Sequence, residues 1–169
     1  MATVEDPEGA AERRARISAD LAEKTGIDDA MIERLVRTFY GRVQADPLIG
    51  PVFATRIKSW EEHIAKLCAF WSSVALMTGR YHGQPMPLHM NLPIAAEHFD
   101  RWIGLFEDTA NNLCPPAAAA HFVERARRIA DSFELGLAAR RGEIARPRFS
   151  TVVHQSVRPS PTAEPVSCG

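Results

Sequence analysis

Apolar residues recur every three or four positions through the middle of this chain, which is the interval of a helix with one buried face. Four such stripes are separated by connections that contain Pro or Gly. They are Ile32, Leu35, Val36, Phe39 and Val43; His63, Leu67, Phe70, Trp71 and Val74; Phe99, Trp102, Ile103, Phe106, Ala110 and Leu113; and Phe122, Ala126, Ile129, Phe133 and Leu137. The sequence contains no Asn-Gly hairpin turn and no sustained two-residue alternation. The pattern therefore predicts an all-α fold.

Local signals mark where these helices begin and end. The expected boundaries are an N-cap at Asp28 or Asp29, a stop at Asp46-Pro47, a capping box at Ser59–Glu62, a stop at Gly79 and helix starts after Pro93 and at Pro115-Pro116. Between Gly79 and Pro93 the sequence leaves a loop with room for only a turn or two of helix near His89. Long irregular loops inside compact domains are often functional, so this loop is the first place to look for a site.

The two ends of the chain differ from its middle. A length of 169 residues fits one domain with tails. Residues 1–25 form a charged extension in which a helix from about Ala10 to Glu23 is expected. From about Ala145 the chain is rich in Pro, Ser and Thr, and we expect disorder there because little can be buried.

Composition excludes several classes of function. A net charge of −1 and a pI of 6.6 argue against binding of nucleic acid. No apolar run approaches the roughly 20 residues that cross a bilayer, and the N-terminus lacks a secretory signal. Three cysteines without CxxC spacing predict no disulfide framework, no structural zinc and no thioether-linked haem, which favours the reducing cytoplasm.

Four side chains are candidates for chemistry. His89 lies in the Pro- and Gly-rich loop, where one ring nitrogen is available to an apolar pocket, and His63 lies on the apolar face of its helix. Tyr40 and Trp102 carry polar atoms on apolar faces, and these atoms need partners when buried. Each residue alone is typical of an ordinary core or surface position. Together they suggest a buried ligand that accepts hydrogen bonds.

Several short motifs occur in one order along residues 27–141. They are Phe39-Tyr40, Pro51-Val52-Phe53, Trp60-Glu61-Glu62-His63, Phe70-Trp71, Tyr81 to Pro85, His89 to Pro93, and His98 to Phe106. With this set the chain resembles the group III truncated haemoglobins. The resemblance implies a globin-like two-over-two helical sandwich that holds a non-covalent b-type haem. The truncated globin domain would then span residues 26–142, with an N-terminal extension (1–25) and a Pro-rich tail (143–169).

The resemblance also implies a role for each matching residue. His89 is expected as the proximal ligand of the haem iron. The other expected positions are the distal residues Tyr40, His63, Trp102 and Phe39 and the haem-packing aromatics Phe53, Phe70 and Trp71.

The function implied is binding or transport of dioxygen, with CO and NO as further diatomic ligands. Nitric oxide detoxification or peroxide chemistry at the same iron would need an external, unidentified reductase. The sequence leaves open whether His63 gates the pocket, donates a hydrogen bond or binds iron. A haem-free helical protein-interaction module remains the alternative, and it has no need of a histidine at position 89.

Overall fold

The structure, a computed structural model, describes residues 7–150, with side chains from residue 9 onward. The helices are α1 (Pro7–Thr25), α2 (Asp29–Ala45), α3 (Gly50–Ala54), α4 (Trp60–Leu76), α5 (Pro85–His89), α6 (Ala96–Leu113) and α7 (Pro116–Arg140). All regular secondary structure within these residues is helical, which confirms the predicted fold class. No helix in this part of the chain combines the length and the apolar character that crossing a bilayer requires.

The four long helices of the predicted stripes form two packed pairs. Helix α2 packs against α4, α6 packs against α7, and the pairs meet where α2 contacts α6 and α4 contacts α7. This arrangement is the predicted two-over-two sandwich. Helix α1 lies outside it, against α4 and α7.

Aromatic rings fill the space between the pairs. Trp71 stacks on Phe106 with 4.8 Å between ring centroids, and Phe122 meets Trp71 edge-on at 6.0 Å. Phe39 meets Phe106 edge-on at 5.0 Å, and all four rings are fully buried. Each aromatic pair adds about 0.5–1.5 kcal/mol beyond the area it buries, so this cluster fixes the relative positions of α2, α4, α6 and α7.

Several helix ends lie where the sequence predicts them. The backbone N–H of Met31 donates to Asp28 Oδ1 at 2.7 Å, which identifies Asp28 as the cap of α2. Ser59 caps α4 by accepting from the Glu62 N–H at 3.4 Å. These bonds satisfy N–H groups that the first turn of a helix leaves without partners.

Helix α4 ends earlier than the sequence predicts. Its last residue is Leu76, and Met77 takes the left-handed conformation with φ of 56° that we expected Gly79 to supply. Two side chains of α7 bind the final carbonyls of α4. His121 Nε2 donates to Ala75 O at 2.7 Å and Arg125 Nε donates to Val74 O at 3.0 Å. The carbonyls at the end of α4 are therefore satisfied by α7, before the chain reaches the glycine.

The segment after α7 contacts the helices in ways that its composition does not predict. Arg148 forms ion pairs with Glu134 of α7 at 2.8 Å and Asp100 of α6 at 2.9 Å. The next residue, Phe149, packs against the core. Buried Asp131 binds the backbone of this segment, which we call the C-terminal clasp (residues 148–150). The composition did not predict these contacts, and the rest of the predicted tail, residues 151–169, lies outside the described part of the chain.

Candidate functional site

An apolar cavity of about 280 Å³ lies between the two helix pairs. Its volume is near the lower end of the roughly 300–1,000 Å³ typical of ligand pockets. Every helix from α2 to α7 contributes to its wall. The lining residues are Tyr40, Ile49, Val52, Phe53, His63, Lys66, Leu67, Phe70, Tyr81, Pro85, Leu88, His89, Leu92, Ile94, His98, Phe99, Trp102, Ile129, Ala130 and Phe133.

His89, the last residue of α5, lies in one wall. Its Nδ1 is 2.6 Å from the Pro85 carbonyl oxygen. A carbonyl only accepts, so Nδ1 carries the hydrogen in the neutral imidazole and Nε2 keeps its lone pair. The ring packs against Phe133 of α7 with 4.6 Å between centroids. The imidazole is thus fixed in both tautomer and orientation, as in histidines that bind metals in proteins.

Another wall holds the Tyr40 cluster, which we define as Tyr40, His63 and Trp102. The Tyr40 and His63 rings meet edge-on at 5.9 Å. Tyr40 is 4% exposed, and this burial raises the pKa of its hydroxyl. A hydrogen bond from the indole N–H of Trp102 lowers the pKa of the Tyr40 hydroxyl by a smaller amount. The Tyr40 hydroxyl therefore keeps its proton and remains a hydrogen-bond donor over the whole physiological range.

Burial also determines the charge of His63. The pKa of His63 is lowered first by burial, which disfavours the charged form, and to a smaller extent by the neighbouring His89 and Lys66 side chains. At pH 7 His63 is accordingly a neutral imidazole that can donate from one nitrogen and accept at the other. His63 and His89 both line the same cavity.

Six of the eight predicted site residues line the cavity: Tyr40, Phe53, His63, Phe70, His89 and Trp102. Phe39 and Trp71 do not, because both lie behind it in the aromatic core. Phe39 contacts Tyr40 at 4.8 Å and Trp102 at 5.4 Å, and Trp71 contacts Phe70 at 5.7 Å. These two rings support cavity side chains and do not reach the cavity themselves.

Sequence reasoning missed other lining residues. The sequence pattern assigns Phe133 to the inward face of its helix, but this pattern cannot tell a core residue from a cavity residue. Tyr81 packs edge-on against Phe70 at 5.3 Å, and Lys66 adds a cation to the lining. His98 lines the cavity while its Nδ1 accepts the Ala95 N–H at 3.1 Å. Tyr81 and His98 could have been identified as lining residues, because both lie within the motifs that match the globin family.

The lining fits a haem. An apolar slot removes the macrocycle from water, and the Nε2 lone pair of His89 is the kind of donor that iron accepts from a globin fold. The Tyr40 cluster adds hydrogen-bond donors elsewhere in the same cavity. Within residues 7–150, no three or more His, Cys, Asp or Glu side chains are grouped to hold a metal ion by themselves.

Known proteins similar to this chain are globins. The family model of the bacterial-like globins matches residues 20–131. A group 3 truncated hemoglobin of Campylobacter jejuni is 34% identical over 113 residues, covering 64% of this chain and 89% of that protein. A group 2 truncated hemoglobin of Bacillus subtilis is 26% identical over 89 residues, covering 52% of this chain and 67% of that protein.

Structural similarity agrees with these matches. The crystal structure of the group III truncated hemoglobin from Campylobacter jejuni gives a TM-score of 0.62 at 35% identity. The alignment covers 66% of this chain and 91% of that one. The chain therefore belongs to the bacterial-like globins, which bind diatomic ligands at haem, and within them to the group III truncated haemoglobins.

Proposed function

We propose that this protein holds a non-covalent b-type haem in the cavity, with His89 as its iron ligand, and binds dioxygen, CO and NO there. The observation that carries the proposal is the His89 Nδ1–H bond to Pro85 O, at 2.6 Å. It leaves the Nε2 lone pair on a ring that Phe133 holds in place. Phe53 and Phe70 line the same cavity and are suited to pack against the macrocycle.

The Tyr40 cluster is proposed to hold the bound gas. Haem supplies the iron that takes a diatomic ligand and that changes oxidation state. Tyr40 offers a hydroxyl that burial keeps protonated, and Trp102 offers an indole N–H. Hydrogen bonds from such donors to a ligand with negative charge are stronger in a dry cavity than in water. They act after the ligand has arrived, so they slow its escape more than they alter its entry.

His63 supports a second, related activity, the reduction of peroxide. Its lowered pKa makes it a neutral base beside the cavity at pH 7. A base in this position accepts a proton from an entering peroxide and returns it to the product, as general acid–base catalysis requires. Both this reaction and the oxidation of nitric oxide to nitrate would draw electrons from an external reductase of unknown identity.

The absorption spectrum of the haem-loaded protein tests the proposal. We expect a sharp Soret band that shifts when CO is added to the dithionite-reduced protein, and loss or alteration of that band in His89→Ala. The matched control is His82→Ala, which removes an exposed histidine from the same loop. If His89→Ala keeps the spectrum of the parent protein, the proposal is wrong, and the chain is better described as a haem-free helical interaction module.

A further inference from the structure

Helix α5, which carries His89, is short and packs against few other elements. It has five residues, none of them fully buried. Within residues 7–150 the helix that α5 packs against is α7, and it contacts no other helix. Among the helices, α7 is therefore the one whose packing bears on the position of the His89 imidazole in the cavity.

Gly136 lies at the centre of that interface. A Cβ atom built on Gly136 would lie 3.0 Å from Met86 Sδ, 3.2 Å from Met90 Cε and 3.3 Å from Met86 Cε. Met86 lies three residues before His89 and Met90 directly follows it. Phe133, one turn before Gly136 on α7, contacts the His89 ring itself. One face of α7 thus contacts the iron-ligand candidate and the methionines on both sides of it.

We propose that Gly136 is a positioning residue for His89: its missing side chain lets α5 lie close enough to α7 to set how far the imidazole reaches into the cavity. The inference rests on the proposed role of His89 as iron ligand. A methyl group at position 136 leaves less than ordinary contact distance to both methionines, which must retreat by a few tenths of an ångström. The Met90 N–H donates to Met86 O at 3.2 Å, so the two methionines belong to one hydrogen-bonded turn, and the ends of their side chains fill the space between that turn and Gly136.

Two other helical glycines provide matched controls. A Cβ at Gly104 of α6, or at Gly41 of α2, would meet nothing within 4 Å. All three Gly→Ala changes raise helix propensity by a similar amount, so none is expected to unfold the protein. The three variants differ in whether the new methyl group presses on α5.

The experiment compares Gly136→Ala, Gly104→Ala and Gly41→Ala as haem-loaded proteins. The readouts are the rate of haem transfer to excess apomyoglobin and the iron–histidine stretching band of the ferrous protein. Changes to groups that support a metal ligand typically alter metal affinity 10- to 100-fold. For this small displacement we expect haem loss on the order of tenfold faster and a shifted band in Gly136→Ala alone.

A second variant separates positioning from a general loss of packing. Combining Gly136→Ala with Met86→Ala removes the side chain that the new methyl group meets most closely, and the band should return toward its parent frequency. The inference is wrong if Gly136→Ala matches Gly104→Ala in both readouts, or if the double variant leaves the band fully displaced. The haem proposal is tested separately: it is wrong if the absorption spectrum of His89→Ala equals that of the parent protein.

Discussion

The replacement Asp131→Asn is expected to release the C-terminal clasp and to destabilise the whole domain. Asp131 is 4% exposed and directly follows Ala130 of the cavity wall on α7. Oδ1 accepts the N–H groups of Arg148 at 2.7 Å and Phe149 at 3.0 Å. Oδ2 accepts the Ser150 N–H at 2.8 Å and the Ser150 hydroxyl. An amide keeps the shape of the carboxylate but removes the charge and one of the two accepting atoms.

The expected loss of stability follows from the hydrogen bonds that Asp131 accepts. Hydrogen bonds to a charged group contribute about 1.5–3 kcal/mol each, and the amide forfeits two of them while weakening the others. Solvent recovers part of this loss because Ser150 is only half-buried. We therefore expect the free energy of unfolding to fall by about 2–4 kcal/mol. At roughly 2–4 °C per kcal/mol for a chain of this size, Tm should fall by about 5–15 °C.

Thermal and urea unfolding followed by circular dichroism measures this change. Asp100→Asn is the matched control, because Asp100 also pairs with Arg148 but is more than half exposed. Exposed ion pairs contribute about 0–1 kcal/mol, so the control should lose little stability. A loss in Asp131→Asn no larger than in Asp100→Asn would refute the reasoning.

Chain shortening provides an independent check of the same clasp. A chain that ends after Arg146 should be less stable than a chain that ends after Ser150, by about as much as Asp131→Asn destabilises the protein. Since both changes remove the same interaction, their combination should be far less than additive. Additive losses would mean that the clasp and Asp131 stabilise the protein separately.

Three further predictions concern the pocket, the pH dependence of stability and the close backbone approach at Gly50. Tyr40→Phe should speed dioxygen release about 10- to 100-fold in stopped-flow kinetics, since it removes a buried donor worth about 1.5–3 kcal/mol to a charged acceptor. The pKa values of Asp46 and Asp131 lie below the usual 3.8, since hydrogen bonds outweigh burial, which alone would raise them. Their contribution to stability should be complete above that pH and lost as the pH falls below it, measured by urea unfolding from pH 7 to pH 2. Gly50→Ala should destabilise the protein, because a Cβ there would lie 2.9 Å from the rigid backbone oxygen of Gln44; unchanged thermal unfolding would contradict this.

The helices and their starts were predictable because their signals are local. A period of 3.6 residues, an aspartate cap and a proline near the first turn act within a few residues of one another. Asp28, Ser59 and Pro116 therefore lie where the sequence places them. The early end of α4 was not predictable, because its carbonyls are bound by His121 and Arg125, far along the chain.

The sequence predicted only some of the side chains that line the cavity. An apolar stripe shows which face of a helix points inward, but it does not show whether that face meets the packed core or the cavity. Phe39 and Tyr40 are neighbours in sequence, yet Tyr40 lines the cavity and Phe39 supports it from behind. Phe70 and Trp71 divide in the same way. The clasp was missed for another reason: its polar composition indicates disorder unless a buried carboxylate such as Asp131 is known to face it.

The two walls of the cavity are supported by different parts of the fold. The Tyr40 cluster stands on α2, α4 and α6, whose positions are fixed by the aromatic core through Phe39 and Phe106. His89 lies on a five-residue helix that packs, among the helices of residues 7–150, against α7. Because α5 contributes no ring to that aromatic core, we expect displacement of α5 to move His89, the proposed iron ligand, while the donors of the Tyr40 cluster stay in place. Given the proposed roles of His89 and the Tyr40 cluster, we expect that substitutions in such a fold can change the strength of the histidine–iron bond and the retention of the gas independently.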